Sequence, residues 1–225
     1  MIPLRDSLPS RSFPTATVWL IVINVAVFLF EWSLEPFSRT HFVGSYAMIP
    51  SQFQPLSLVT SMFLHGGWMH LIGNMWFLWI YGDNIEDILG QAKYVLFYLG
   101  CGVAAGLVHL FFNLDSRLPT VGASGAIAGV MGAYMVKYPH AKITTLLPII
   151  IFFTTVELPA WFILVYWFVI QIFSGVGELA SSANGVQQGG VAWFAHIGGF
   201  LAGALLIRLL PTREPYRAYP ELHWR

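Results

Sequence analysis

Long apolar runs alternate with short polar connections along most of the chain. The runs are Thr15–Phe30, Leu64–Gly82, Tyr94–Phe112, Val121–Tyr138, Leu158–Gly177 and Val191–Leu210. Each is close to the roughly 20 residues that cross a lipid bilayer as an α-helix. The pattern therefore predicts six membrane-spanning helices.

Two further apolar segments do not have the character of spans. Ile143–Val156 contains Pro148 and is separated from the next run by Glu157 and Pro159, so we expect an interfacial or re-entrant segment. The connection from Glu31 to about Phe63 is rich in aromatic residues and too apolar for a free loop. We expect it to pack in the outer leaflet of the membrane.

The composition agrees with a membrane protein. Apolar residues make up 56% and charged residues 10% of the chain, whereas roughly a quarter of the residues in soluble domains are charged. The formal net charge is zero and no basic block indicates nucleic acid binding. We therefore predict an all-α integral membrane protein, a six-transmembrane-helix bundle in which residues 1–225 form one domain with short N-terminal and C-terminal tails.

The basic residues predict the orientation of this bundle. With six spans, nine of the eleven lysines and arginines fall on the side of both termini, leaving only Arg39 and Arg117 on the other. The positive-inside rule then places both termini in the cytoplasm. Neither a cleavable signal peptide nor an organelle-targeting segment is evident at the N-terminus. We therefore expect a bacterial inner membrane, and a membrane-surface role for the basic tail from Pro211 to Arg225.

Polar side chains at membrane depth are costly and therefore indicate function. His70 and Asn74, in the stretch HGGWMHLIGNMW, are four residues apart and share one helix face. Ser124 begins the fourth predicted span and His196 lies early in the sixth. Both of those spans start from the outer side, so the serine and the histidine should lie at similar depths.

Small residues should allow the fourth and sixth helices to approach closely. Ser124, Ala128 and Gly132 form one line with a spacing of four, and Gly199 and Gly203 form another after His196. Small residues at this spacing permit close backbone contact between membrane helices. If the two lines face each other, Ser124 and His196 come within hydrogen-bonding reach.

A serine activated by a histidine base is the minimal nucleophile for acyl transfer. The Asn74 amide, the His70 imidazole and the Ser124 backbone N–H are suitable donors to an oxyanion. No acidic residue lies near His196 in the sequence, which favours a dyad over a triad. An H-E-x-x-H zinc motif is absent from the sequence, as is a pair of aspartates at membrane depth. Metalloprotease and aspartyl protease mechanisms are therefore disfavoured.

An acidic group follows the second predicted span. It comprises Asp83, Glu86 and Asp87, on the opposite side of the membrane from Ser124. We expect these residues to cap a helix and to form an ion pair with Lys93, rather than to bind a metal.

Taken together, these motifs resemble the rhomboid family of intramembrane serine proteases. The resemblance is carried by HGGWMHLIGN in the second span, GASG in the fourth and AHIGGFLAG in the sixth, in the family's order. It implies a catalytic dyad of Ser124 and His196, with His70 and Asn74 at the oxyanion.

The resemblance also implies roles for four glycines and exposes two departures from the family pattern. Gly122 and Gly125 would shape the turn around the serine, and Gly199 and Gly203 would pack the sixth helix on the fourth. Many bacterial members carry a tyrosine four residues after the serine, where this chain has Ala128. A Trp-Arg pair that some members carry in the first loop is also missing from Glu31 to Phe63.

The implied function is endopeptidase cleavage of single-span transmembrane proteins, within or beside their membrane segment and inside the lipid bilayer. It requires no cofactor and no metal. One alternative is a catalytically silent relative that binds membrane helices, although both Ser124 and His196 are retained. The other is a small transporter that uses His70, Asn74 and His196, although no repeated half with broken helices is visible.

Overall fold

A computed structural model describes residues 1–149, 152–183 and 191–213 of the chain. Within these residues the structure is mainly helical. Its α-helices are α1 (Thr15–Ser33), α2 (Pro36–Tyr46), α3 (Ser57–Thr60), α4 (Trp68–Leu89), α5 (Gln91–Phe112), α6 (Ser124–Lys137), α7 (Ala160–Ala183) and α8 (Trp193–Leu209). Its strands are β1 (Ile2–Asp6), β2 (Lys142–Ile149) and β3 (Phe152–Pro159), and 3-10 turns lie at Pro50–Gln52 and Ser61–Phe63. Of the predicted basic tail, Pro211–Arg225, the part after residue 213 lies outside the described residues.

Three of these helices are long and apolar enough to cross a membrane: α1, α5 and the stretch Ala160–Ser181 of α7. The helix α8 is apolar but shorter, with 17 residues. The helix α6 has only 14 residues, and α4 carries an acidic group near its C-terminal end. The six predicted apolar runs overlap α1 and α4 to α8, but the count of six spans is not confirmed.

The prediction of an all-α fold is wrong for the region between α6 and α7. Most of Ile143–Val156 lies in an antiparallel hairpin of β2 and β3, in which Ile143 pairs with Leu158. This region is rich in threonine, valine and isoleucine, whose branched side chains pack well on a pleated surface. The strand β1 pairs with β2 to complete a three-stranded sheet in the order β1-β2-β3.

The sheet lies at the end of the bundle where α1 and α7 begin and α6 ends. Two hydrogen bonds attach its N-terminal strand to the helices. The Trp76 indole N–H donates to the carbonyl oxygen of Pro3 at 2.7 Å, and the Tyr134 hydroxyl donates to the Asp6 carboxylate at 2.6 Å. The strand β1 is therefore held by both α4 and α6.

The helix α6 lies at the centre of the bundle, and residues 125–134 are all buried. Glycines bring its backbone against that of α8. A methyl group on Gly199 would collide with the carbonyl oxygen of Gly125, and one on Gly203 with that of Gly129. Of the predicted line of Ser124, Ala128 and Gly132, Gly132 also meets the backbone of α8, because a methyl group on it would collide with the carbonyl oxygen of Phe200. Gly125 and Gly129, which meet α8 as well, were not part of that prediction.

The connection from α1 to α4 packs on the segment that leads into α6. The backbone groups of Met48 and Thr120 exchange two hydrogen bonds, of 3.1 and 2.8 Å. Arg39 anchors the start of the connection, because its guanidinium donates to the carbonyl oxygens of Glu31 and Trp32 and lies 4.6 Å from the centroid of the Trp32 ring. Arg39 therefore joins the end of α1 to α2.

Candidate active site

Ser124 is the first residue of α6, and the turn before it requires glycine. Gly122 has a φ of +124°, which side-chain-bearing residues rarely adopt. Its N–H donates to the carbonyl oxygen of Ser61 at 2.9 Å. A Cβ atom on Gly122 would lie 2.7 Å from the His70 ring. The glycine thus allows both the turn and the close approach of α4 to it.

His196 lies in the first turn of α8 and is buried. Its Nε2 atom is 2.8 Å from the hydroxyl oxygen of Ser124, a normal length for a hydrogen bond. The helices α6 and α8 begin at the same end of the bundle and are held close by their glycines. The structure therefore brings together the serine and the histidine that lie 72 residues apart in the sequence.

The sequence interpretation missed Gln171, on α7. Its Oε1 atom is 2.7 Å from Nδ1 of His196, and its Nε2 atom donates to the carbonyl oxygen of Trp167 at 3.1 Å. The Trp167 ring lies beside the imidazole, with 5.7 Å between ring centroids. The available signal was an amide at the centre of an apolar helix, where a polar group is costly unless it has a partner.

His70 and Asn74 lie one helical turn apart on α4 and both face the turn before Ser124. A Cβ atom on Gly122 would be 2.7 Å from Nε2 of His70 and 3.5 Å from Nδ2 of Asn74. Within the described part of the chain, the buried Nδ2 atom of Asn74 has no hydrogen-bond partner. A buried amide donor without a partner is unusual and calls for an explanation.

A cavity of about 760 Å³ joins these groups. His70, Asn74, Ser124 and His196 all line it, as do apolar side chains such as Phe77. Its volume is in the range of roughly 300–1,000 Å³ that is typical of ligand sites. The cavity is therefore large enough to admit a peptide segment to the serine.

Two other buried histidines lie near the site. The ring of His65 is 5.2 Å from that of His70, centroid to centroid. His109 lies on the cavity wall, with Nε2 3.1 Å from the hydroxyl oxygen of Thr120. That contact fixes the segment before Ser124. Among the residues that the structure describes, no three His, Cys, Asp or Glu side chains are grouped to hold a metal ion.

This arrangement is suited to nucleophilic chemistry. A serine hydroxyl next to an imidazole nitrogen can lose its proton as the oxygen attacks an electrophile. Nδ2 of Asn74, which has no hydrogen-bond partner among the described residues, can donate to the negative charge that develops on the attacked group.

Comparison with known proteins gives an independent identification of the fold. Residues 52–213, which contain all the site residues above, match the Rhomboid domain family. The chain is 30% identical over 192 residues to Rhomboid protein 1, mitochondrial, of Saccharomyces cerevisiae, covering 83% of this chain and 50% of that protein. It is 28% identical over 214 residues to Rhomboid-like protein 11, chloroplastic, of Arabidopsis thaliana, covering 92% and 69%.

A third relative is Presenilin-associated rhomboid-like protein A, mitochondrial, of Danio rerio. It is 37% identical over 139 residues, covering 59% of this chain and 35% of that protein. The chain thus spans half the length of the yeast relative and about a third of the zebrafish relative. The family match extends over most of the chain and includes the serine, the histidine and the residues around them. The chain therefore belongs to the rhomboid family.

Proposed function

We propose that this chain is an intramembrane serine endopeptidase that cleaves single-span transmembrane proteins within or beside their membrane segment. The observation that carries the proposal is the hydrogen bond of 2.8 Å between Ser124 and His196. It lies in a cavity that also holds the unpartnered Asn74 amide. Family membership supports the reaction class, and the geometry supports the assignment of roles.

In the first step Ser124 is acylated. A new bond forms between the Ser124 Oγ atom and the peptide carbonyl carbon, while the hydroxyl proton passes to Nε2 of His196. The carbonyl electron pair moves to the oxygen, whose negative charge His70, Asn74 and the Ser124 N–H stabilise. The intermediate then collapses, the carbon–nitrogen bond breaks, and the leaving nitrogen takes the proton from Nε2.

The second step releases the remaining product. Water donates a proton to Nε2 of His196 while its oxygen attacks the ester carbon. Collapse of this second tetrahedral intermediate breaks the bond to Oγ, and the proton returns to Ser124. His196 carries each proton between Ser124, the leaving nitrogen and water, so the proposed mechanism uses no metal and no cofactor.

The proposed setting is a single domain of six membrane spans, formed by α1 and α4 to α8. In this arrangement both termini lie on the side that carries most of the basic residues, and Ser124 lies towards the other side. The three relatives named above are mitochondrial or chloroplastic proteins. They therefore do not support the bacterial inner membrane that the sequence alone led us to expect.

The test is cleavage of a single-span reporter protein after both proteins are reconstituted in liposomes. Wild type is compared with Ser124→Ala and His196→Ala, and with Ser45→Ala and His41→Ala as matched controls. Ser45 and His41 are exposed residues of α2. We expect cutting by wild type and both controls and none by the two site variants. We also expect Asn74→Ala to reduce the rate by roughly 10²- to 10³-fold.

Equal cutting by wild type and Ser124→Ala would contradict the serine mechanism. If wild type does not cut the reporter but can be crosslinked to its helix, and Ser124→Ala is crosslinked equally well, the protein is a helix-binding relative instead. A pH-dependent solute flux that survives Ser124→Ala would identify a transporter.

A further inference from the structure

Gln171 contacts Nδ1 of His196, the ring nitrogen that does not face Ser124. The two residues are buried, and Oε1 of Gln171 lies 2.7 Å from Nδ1 of the imidazole. The serine is on α6, the histidine on α8 and the glutamine on α7. Three helices thus contribute one side chain each to a continuous hydrogen-bonded row.

The orientation of the Gln171 amide follows from its second contact. The carbonyl oxygen of Trp167, one turn earlier on α7, lies 3.1 Å from Nε2 of Gln171. A backbone carbonyl can only accept hydrogen bonds. The amide nitrogen must therefore face Trp167, and the amide oxygen must face His196.

This orientation selects one form of the imidazole. A neutral histidine carries a proton on only one ring nitrogen, and the amide oxygen opposite Nδ1 requires that proton to be on Nδ1. The lone pair is then on Nε2, where it can accept the proton of Ser124. If the proton were on Nε2, His196 could not act as the base, and Nδ1 would face an oxygen without a proton between them.

The aromatic neighbours of His196 cannot make this selection. The ring of Trp167 lies at 35° to the imidazole, and that of Trp193 lies edge-on to it, with 6.4 Å between centroids. Such contacts restrict the plane of the ring but do not distinguish one nitrogen from the other. Gln171 instead offers a hydrogen-bond acceptor to Nδ1, at 2.7 Å.

We propose that Gln171 is a positioning residue that holds His196 in the Nδ1-protonated form and so makes Nε2 the base for Ser124. This inference rests on the proposed function. When Nε2 accepts the serine proton, the Nδ1–H bond to the amide oxygen is retained, so the imidazolium ion keeps a partner on each side. Gln171 itself neither gains nor loses a proton and does not touch the substrate.

The kinetic test compares Gln171→Ala and Gln171→Glu with Ile172→Ala in liposomes. Ile172 is the next residue on α7 and its side chain is exposed, so its truncation should leave cleavage unchanged. We expect Gln171→Ala to reduce kcat on the order of 10²-fold with little change in KM. Gln171→Glu keeps an acceptor opposite Nδ1, so it should retain more activity than Gln171→Ala.

A second measurement reads the proton position directly. Nitrogen-15 NMR of protein labelled in histidine separates the two tautomers, and the signals of His196 are assigned by their loss in His196→Ala. We expect protonated Nδ1 and unprotonated Nε2 in wild type, and a mixture of both forms in Gln171→Ala. An Nε2-protonated His196 in wild type would overturn the inference, whether or not Gln171→Ala folds.

The two proposals fail in different ways. If wild type and Ser124→Ala cut equally, the proposed function fails, while NMR still decides the state of His196. If Ser124→Ala is inactive but Gln171→Ala cuts at the wild-type rate, the protease assignment stands and the role of Gln171 is overturned.

Discussion

The carboxylate of Glu86, near the end of α4, caps the first turn of α1 by binding Thr17. One carboxylate oxygen accepts the Thr17 N–H at 2.8 Å and its hydroxyl at 2.9 Å, and the other accepts the Ala16 N–H at 2.9 Å. The residue before α1 is Pro14, which offers no side-chain cap. Two of the free N–H groups that begin this helix are therefore satisfied from a different helix.

Replacing Glu86 with alanine should destabilise the fold. The substitution leaves buried N–H groups of Ala16 and Thr17 without acceptors, at a cost of roughly 1–3 kcal/mol in the free energy of unfolding. The measurement is the thermal unfolding midpoint in detergent micelles. Asp115→Ala removes an exposed carboxylate and is the matched control. Equal midpoints for Glu86→Ala and Asp115→Ala would show that the cap does not stabilise the protein.

The acidic group of Asp83, Glu86 and Asp87 was predicted correctly from the sequence in one respect and incorrectly in another. Capping was expected of it, and both Glu86 and Asp87 accept hydrogen bonds from the N-terminal side of α1. The helix α4 continues to Leu89 and contains all three acids, which follow the apolar run that ends at Gly82. The helix therefore extends beyond the apolar run that the sequence pattern marks. No ion pair with Lys93 forms among the described residues, whereas Lys142 does form one with Glu157.

The candidate site also contains residues that the sequence pattern predicts and one that it does not. Ser124, His196, His70 and Asn74 could be found from the sequence, since polar groups are conspicuous in apolar helices. Gln171 could not be paired with His196, because that contact depends on how α7 is rotated against α8. The pairing of β1 with β2 could not be predicted, because Ile2 pairs with Leu146 and no local pattern reports pairing over so long a distance. The hairpin of β2 and β3 is local, and its branched residues were a signal that the sequence interpretation missed.

The Asp6 carboxyl should make stability depend on pH. Burial raises its pKa from 3.8 to about 6, opposed by the hydrogen bond from Tyr134 and reinforced by the charge of Asp83. Between these two pKa values the folded protein binds more protons than the unfolded chain, so stability falls as pH rises through that window. Asp6→Asn stays neutral, and so should be more stable than wild type at pH 7.5.

This difference should shrink as the pH is lowered towards 4, where Asp6 is protonated in the folded wild-type protein. The measurement is the unfolding midpoint of both proteins in detergent from pH 4 to 7.5. Asp115→Asn, at an exposed carboxylate, should follow wild type throughout. A gap between Asp6→Asn and wild type that is constant with pH would exclude ionisation of Asp6 as the cause.

Gly203→Ala should separate α8 from α6. The added methyl group meets the carbonyl oxygen of Gly129, and backbone cannot move aside as a flexible side chain would, so we expect a loss of roughly 1–3 kcal/mol or more. Gly100→Ala is the control, because no atom lies within 4 Å of the new methyl group there. Alanine also has the higher helix propensity. Equal unfolding midpoints for the two variants would contradict close packing at Gly203.

Gly122→Ala should reduce cleavage more than it reduces stability. The new Cβ atom would lie 2.7 Å from the His70 ring and would require a φ of +124°, a conformation that costs about 1–3 kcal/mol. Relieving this clash must shift either His70 or the turn before Ser124. Displacement of reacting groups by about 1 Å can lower a rate about 10²-fold.

The control is Gly67→Ala, since Gly67 precedes α4 in an extended conformation with open space around it. Cleavage of the liposome reporter and the unfolding midpoint are measured for both variants. We expect Gly122→Ala to remain folded, with cleavage reduced on the order of 10²-fold, and Gly67→Ala to cut at close to the wild-type rate. Full activity of folded Gly122→Ala would contradict a role for this turn in aligning Ser124 with His70, because the reaction would then tolerate the displacement that the methyl group forces.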